Sequence, residues 1–304
     1  MIKYIYTIFT FSLALFAFDT ANYDAVLNEV KKSNGAITIY NLPKPNLPKS
    51  LNVQKSELST TPIIVNDKIV TIDKKIKTTD DIKIFTSKKI EPINYTNSIS
   101  LNKLQVSEKK QKFFHMILPA ILISKENLKL KRERVLSLMS TPIEELTKDD
   151  KEFLEGLYKK YKTTNNKKLA NRLKTHPVSI ILAQAAIESA WGESRFFKKG
   201  NNIFGMWSYN KNEPRIKALG TRNGKAIYVK KYASVSDAID DYFMVIGRGA
   251  YKSFRQHRNI TDNPLELVKY LVNYCELSNY PNKLKKFIVH NKLRKFDKFE
   301  LASK

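Results

Sequence analysis

The stretch PVSIILAQAAIESAWG, from Pro177 to Gly192, constrains the fold more than any other part of the chain. From Val178 to Ile187 the only polar side chains are Ser179 and Gln184. A helix apolar on nearly every face must be buried all round. Pro177 suits the first helical turn, where its missing N–H costs nothing. Gly192 suits the end of the helical region. Glu188 emerges where this helix stops, so a carboxyl group can reach from the core into a cleft. Desolvation there raises a carboxyl pKa toward neutrality. A carboxylic acid still protonated near neutral pH can give its proton to a leaving oxygen. Gln184, one turn earlier on the same face, is placed to orient that carboxyl or to touch substrate. The competing reading is a Glu paired with an Arg such as Arg195 to hold the fold, and the local pattern leaves both open. Trp191 and Trp207 are the only tryptophans, and both fall within twenty residues of Glu188. Aromatic faces beside an acid suit the stacking of sugar rings, with plain core packing as the alternative.

The flanking sequence is helical from Lys109 onward. KKQKFFHMILPAILISKENLKLKRERVLSLM has apolar residues at helical spacing, and Pro119 predicts a kink or break. Thr147 followed by Asp150, and Ser234 followed by Asp237, read as helix N-caps. NPLELVKYLVNYC and YPNKLKKFIVHNKLRKF predict two further helices. Between Phe204 and Tyr232 the period changes. FGMWSY and KAIYVKKYAS, with TRNGK before the second, predict a small antiparallel β element directly after the Glu188 segment. The expected fold is mainly α (α+β), with a helical domain over 109–304.

Residues 1–108 have a different texture. Lys3 followed by an apolar run from Tyr4 to Phe18 is short for a bilayer span of ~20 residues. A secretory signal peptide over 1–18 is the better reading, with a membrane tether through residues 4–18 as the alternative. Either places the body of the protein outside the cytoplasm, in the periplasm or cell envelope. Residues 19–108 read as a low-complexity spacer. YNLPKPNLPKS is expected to be extended, and PIIVNDKIVTIDKKIKTTDDIKIF offers possible short strands.

Composition narrows the chemistry. One cysteine, Cys275, excludes an intrachain disulfide, and four scattered histidines make no ligand pair, so no metal site and no cofactor are expected. The net charge of +25 over 304 residues suits nucleic acid or an anionic polymer. For an exported chain the anionic polymers of the cell envelope are the expected partner and nucleic acid is not. Solvated lysine is the competing account of the charge. A monomer is expected.

The run HPVSIILAQAAIESAWGESRFFKKGNNIFGMWSY resembles the signature of bacterial Bax-like and FlgJ-type endo-β-N-acetylglucosaminidases. KKYASVSDAIDDYFMVI resembles the strand-to-helix join that follows it, and FFHMILPAILISKENLKLKRERVLSLM resembles the N-terminal helix of the Bax branch. The resemblance covers roughly residues 109–294. It implies a lysozyme-like helical domain with a small β-hairpin lobe, acting on peptidoglycan glycan strands. It implies Glu188 as general acid, with Gln184, Trp191, Asn202, Phe204 and Trp207 along the glycan groove. Tyr274 matches a Tyr of the family's distal helix join, with Tyr280 beside it.

The sequence departs from that pattern in one respect. Many FlgJ-type enzymes carry a second Glu near the hairpin turn, and KALGTRNGKAIYVKKYA has no acid. Glu213 is the only carboxylate between Glu193 and Asp237. An inverting mechanism needs a second carboxylate roughly 6.5–9.5 Å from the acid, whereas a substrate-assisted one uses the sugar's own acetamido oxygen. The substrate-assisted route is favoured, with Tyr274 steadying the acetamido group or the oxocarbenium charge. Two rival readings are a lytic transglycosylase, against which FGMW in place of GLMQ argues, and a catalytically inactive basic wall-binding protein.

Overall fold

The computed structural model describes residues 64–302 apart from 66, 67, 223 and 276–278. The expected signal peptide or tether and the proline-rich stretch lie outside the described residues. The apolar helix is the axis of the fold. It runs from Val178 to Glu188, and every residue from Val178 to Ala186 is buried. A long helix, Val106–Ser137, packs against it, and Tyr280–His290 and the 3-10 turn Leu293–Lys298 enclose its other sides. The long helix also packs on Asn166–Leu173 and Val235–Gly247. Burying each Ile or Leu of this axis stabilises the fold by ~1.5–3 kcal/mol, which explains why so apolar a segment sits at the centre.

Local signals set most helix ends. Thr147 and Ser234 accept hydrogen bonds from the backbone N–H of Asp150 and Asp237, and Asp237 completes a capping box. The axial helix is capped from a distance. Asp297 accepts from the Ser179 N–H at 2.7 Å and from its hydroxyl at 2.8 Å, satisfying a donor that the helix cannot. Pro119 does not break the long helix, which continues through it for 32 residues. The lost hydrogen bond is offset because the helix is buried on all sides from Phe113 to Ser124. Helix also gives way where the pattern predicted more of it: after Pro264–Leu267 the chain turns through two 3-10 segments, Val268–Tyr270 and Val272–Tyr274.

The β element is a hairpin of Arg215–Arg222 with Lys225–Lys230, closed at Gly224 with φ +71. FGMWSY is not its first strand. That segment adds at the edge instead, through a bridge from Trp207 to Val229 and backbone bonds at Ser208 and Lys230.

The spacer reading does not hold for residues 68–101. Ile76, Ile82, Phe85, Ile90, Ile93, Tyr95 and Leu101 are buried in the same core as the axial helix. Ile72–Lys74 pairs in parallel with Ile93–Tyr95, and Lys89–Ile90 pairs in parallel with Glu300–Leu301 near the other end of the chain. The segment also seats on side chains of the long helix. Asn127 accepts from the Ile69 N–H, and His115 Nδ1 accepts from the Phe85 N–H. The helical body therefore begins well before residue 109. No described helix is long and apolar enough to cross a membrane.

Candidate active site

Glu188 is the last residue of the axial helix, and an unusual turn follows it. Ala190, Trp191 and Gly192 take φ of +50, +60 and +84, the left-handed region that side chains other than glycine rarely adopt. The Ser189 hydroxyl donates to the Ala185 carbonyl and accepts from the Gly192 N–H, and the Trp191 N–H donates to the Ala186 carbonyl. Gly192 is required here, since an added Cβ would meet the Phe113 ring at 3.3 Å. The turn is braced by the segment that precedes the long helix. Glu193 accepts from the Ser100 hydroxyl and the Leu101 N–H, both at 2.8 Å.

The carboxyl of Glu188 is half-buried and lines a cleft of about 790 Å³. Burial pushes its pKa up, while a hydrogen bond from Tyr280 and the charge of Lys283 pull it back. The Tyr280 hydroxyl donates to Oε1 at 2.8 Å. A chain of donors stands behind it. Gln184 Nε2 donates to the Tyr280 hydroxyl, and Gln184 Oε1 accepts from the Tyr242 hydroxyl at 2.7 Å. The Tyr242 oxygen faces His176 Nε2 at 2.8 Å. Because the Tyr242 proton goes to Gln184, that nitrogen of His176 carries the hydrogen. Burial holds His176 well below its usual pKa, so the ring is neutral. Every hydrogen bond in this series therefore points toward Glu188. Oε1 is an acceptor, which leaves Oε2 to hold a transferable proton.

Aromatic side chains wall the cleft. Phe204 stacks on Tyr242 at 4.5 Å, and both Phe204 and the more exposed Trp207 line the opening. Arg222 lies over the Trp207 ring at 5.3 Å. Tyr274 lines the cleft with its ring stacked on Tyr280 at 5.6 Å, and its hydroxyl is buried with no hydrogen-bond partner among the described residues. Burial pushes its pKa up, so it is a neutral phenol.

The structure thus brings Glu188, Phe204, Trp207 and Tyr274 to one cleft, with Gln184 and Tyr280 directly behind the acid. Two predicted groove residues, Trp191 and Asn202, and the candidate second acid, Glu213, lie elsewhere. Trp191 packs edge-on against Phe113 and Phe114, on the far side of the turn. Asn202 is buried and holds its own loop, donating to the Met206 and Lys230 carbonyls and accepting from the Met206 N–H. Glu213 lines a neighbouring cavity that shares Lys230 and Asp241 with the cleft, and it accepts from the Ser208 hydroxyl at 2.7 Å. Arg195 donates to the Lys217 carbonyl rather than pairing with Glu188. Sequence reasoning missed Asp241, a second carboxylate lining the cleft, which pairs with Lys230 at 2.9 Å and accepts from the Tyr232 hydroxyl at 2.6 Å. It also missed Tyr242 and His176. The available signal was the acidic pair Asp240–Asp241 set into the apolar stripe of a capped helix. Among the described residues no cluster suits a metal ion.

Residues 163–293 match the family described as mannosyl-glycoprotein endo-β-N-acetylglucosaminidase, the glucosaminidase family. Over those residues the chain is similar to the glucosaminidase domain. It is 26% identical over 160 residues to the protein bax of Escherichia coli strain K12, a match covering 49% of this chain and 55% of that protein. The chain thus spans about half the length of this curated relative. Among solved structures it is similar to the catalytic domain of the autolysin Auto of Listeria monocytogenes, at 19% identity, covering 55% of this chain and 97% of that one, with a TM-score of 0.35. It is also similar to a C-terminally truncated glycoside hydrolase domain of FlgJ from Salmonella typhimurium, at 25% identity, covering 47% and 97%, with a TM-score of 0.32. The glucosaminidase match begins at residue 163, so the packed segment 68–101 and the long helix lie outside it.

Proposed function

We propose that this glucosaminidase domain hydrolyses the β-1,4 glycosidic bond after N-acetylglucosamine in peptidoglycan, with Glu188 as general acid. One observation carries the reading. Glu188 is a half-buried carboxyl whose proton affinity is raised by burial, whose Oε1 is fixed by Tyr280, and which lines a cleft walled by aromatic rings. A fixed, partly desolvated acid can protonate a departing sugar oxygen. Phe204 and Trp207 offer apolar faces to the rings of the strand. The basic surface suits an anionic wall polymer, and the expected site of action is the periplasm or cell envelope. Glu188→Gln keeps shape and removes the proton. It should lower release of muropeptides ~10²–10⁴-fold or more with an unchanged circular dichroism spectrum. A variant with near-normal turnover would remove the assignment. Reducing ends of N-acetylglucosamine are the expected product, and an anhydro sugar would favour a transglycosylase instead.

The second catalytic group is open to a direct test. Glu213 does not line the cleft that holds Glu188, which supports the substrate-assisted route, in which the acetamido oxygen attacks the anomeric carbon and the first product keeps the β anomer. Glu213→Gln should then cost little. Asp241 shares the cleft with Glu188 and gives a second reading, in which it activates water and the product is the α anomer. Nuclear magnetic resonance of fresh product anomers, for the wild type, Glu213→Gln and Asp241→Asn, distinguishes the two readings.

A further inference from the structure

His176 stands just before the axial helix and Glu188 ends it, so the two lie at opposite ends of one element. Tyr242, Gln184 and Tyr280 join them side chain to side chain, through contacts of 2.8, 2.7, 3.3 and 2.8 Å in that order. Such a series can close in two directions. In one, His176 Nε2–H donates to Tyr242, Tyr242 to Gln184 Oε1, Gln184 Nε2 to Tyr280, and Tyr280 to Glu188. In the other the Gln184 amide is turned over, each bond reverses, and Glu188 must give its own proton to Tyr280. The distances choose the first. An O–H···O bond is ordinarily shorter than an N–H···O bond. The Gln184 amide lies 2.7 Å from the Tyr242 oxygen and 3.3 Å from that of Tyr280, as an oxygen on the first and a nitrogen on the second require.

The direction has to be set by one member. Hydroxyl hydrogens rotate and a side-chain amide can turn over, so Tyr242, Gln184 and Tyr280 carry no direction of their own. A neutral imidazole does, because one nitrogen holds a hydrogen and the other is bare. His176 is buried, with the rings of Phe243 and Phe254 edge-on at 5.3 and 5.1 Å. Its Nδ1 is also buried and has no hydrogen-bond partner among the described residues. A hydrogen there would be an orphaned buried N–H, which folded proteins rarely hold. A bare Nδ1 leaves the hydrogen on Nε2, facing Tyr242. The charges of Arg258 and Lys125 act on the ring and oppose a second proton. We propose that His176 is a positioning residue for the acid: its tautomer fixes the direction of the series, and so keeps Glu188 Oε1 an acceptor and the transferable proton on Oε2. Reversed, the series would tie the Glu188 proton to Tyr280. The inference deepens the reading of Glu188 as general acid and rests on it.

The test is nuclear magnetic resonance on the full chain, with nitrogen-labelled histidine and carboxyl-labelled glutamate. The His176 and Glu188 signals are those lost in His176→Phe and Glu188→Gln. In the wild type Nε2 should carry the hydrogen and Nδ1 none. Because coupling is reciprocal, the His176 nitrogens should shift as Glu188 titrates, and that step should vanish in Glu188→Gln. Tyr242→Phe keeps the ring that stacks on Phe204 and cuts the series. The Gln184 amide can then turn over, Tyr280 is no longer directed at Glu188, and the carboxylate loses support. The Glu188 midpoint should rise, by about 3- to 10-fold in the balance between acid and carboxylate, the range from partial to full loss of one hydrogen bond to a charge. The titratable groups around the carboxyl stay in place: Tyr280 and Lys283 on one helix, Asp241 and Arg248 across the cleft, Arg222 and Lys230 on the hairpin, Tyr274 and Cys275 beside the 3-10 turn, and Tyr209 and Tyr251 on loops. His176→Phe should shift the midpoint the same way and add nothing to Tyr242→Phe, since it acts only through that hydroxyl. A hydrogen on Nδ1 in the wild type, His176 signals with no step at the Glu188 midpoint, or a midpoint unmoved by Tyr242→Phe would each overturn the inference. If a core variant does not melt cooperatively, the wild-type and Glu188→Gln spectra decide. None of these signals depends on turnover, so muropeptide release by Glu188→Gln judges the hydrolase reading separately.

Discussion

Replacing Tyr280 with Phe removes one hydroxyl and keeps the ring that stacks on Tyr274. That hydroxyl donates to Glu188 Oε1 at 2.8 Å and favours the carboxylate over the acid. A hydrogen bond to a charged group is worth ~1.5–3 kcal/mol. Glu188 borders an open cleft, so the lower figure applies, and ~1.5 kcal/mol corresponds to roughly tenfold in the balance between acid and carboxylate. The sign follows from what remains. Burial still disfavours the charge, and of the two groups that stabilise it only Lys283 is left, so Glu188 keeps its proton to higher pH. A reaction that needs the protonated acid should therefore hold its rate further into alkaline solution. The maximum rate should fall at the same time, because the carboxyl loses the group that fixes its orientation. The assay is kcat/KM against pH, from reducing ends released on soluble glycan, since that profile reports the free enzyme's essential acid. An alkaline limb that stays in place, or moves to lower pH, would refute the role of Tyr280 and weaken the case for Glu188 as acid.

Trp207→Ala should raise KM with the fold intact, because the ring is 37% exposed at the cleft mouth. Trp191→Ala should instead lower stability in urea, by less than the ~3–5 kcal/mol of a fully buried aromatic, because the ring is only partly buried against Phe113 and Phe114. Gly192→Ala should destabilise by ~1–2 kcal/mol from its left-handed backbone alone, and a wild-type urea midpoint would contradict that. A chain starting at residue 105 loses the seven core side chains contributed by 68–101. At ~1.5–3 kcal/mol for each large apolar side chain the loss matches or exceeds the ~5–15 kcal/mol that keeps a domain folded. That chain should show no cooperative melt, whereas one starting at residue 64 should melt cooperatively.

What could be read in the sequence was what depends on neighbours in the chain. The axial helix announced itself because ten consecutive positions hold almost nothing polar. Glu188 stood out because it broke that rule at the point where the helix ends. The caps at Thr147 and Ser234 follow from residues three apart. The segment 68–101 was illegible for the opposite reason. Its strands are two or three residues long and find partners 21 and 211 positions away, so no local pattern records them. Nothing local separates Trp191 from Trp207 either, although one packs its partly buried ring on the core aromatics and the other lines the cleft. Tyr242 and His176 looked like ordinary members of apolar stripes. Their polar atoms matter only because the fold stacks three elements behind Glu188.

The parallel pairing of Lys89–Ile90 with Glu300–Leu301 gives the fold an order in time. A ribosome delivers the early strand long before its partner exists, and loops of this span close slowly. Until Glu300 and Leu301 arrive, the Lys89–Ile90 edge of the segment that braces Glu193 lacks its strand partner. A chain interrupted before residue 300 would hold every predicted groove residue and still lack the clasp that settles the brace. Pairing with residues 300–301, rather than presence of the site, therefore sets when that edge of the packed segment is covered.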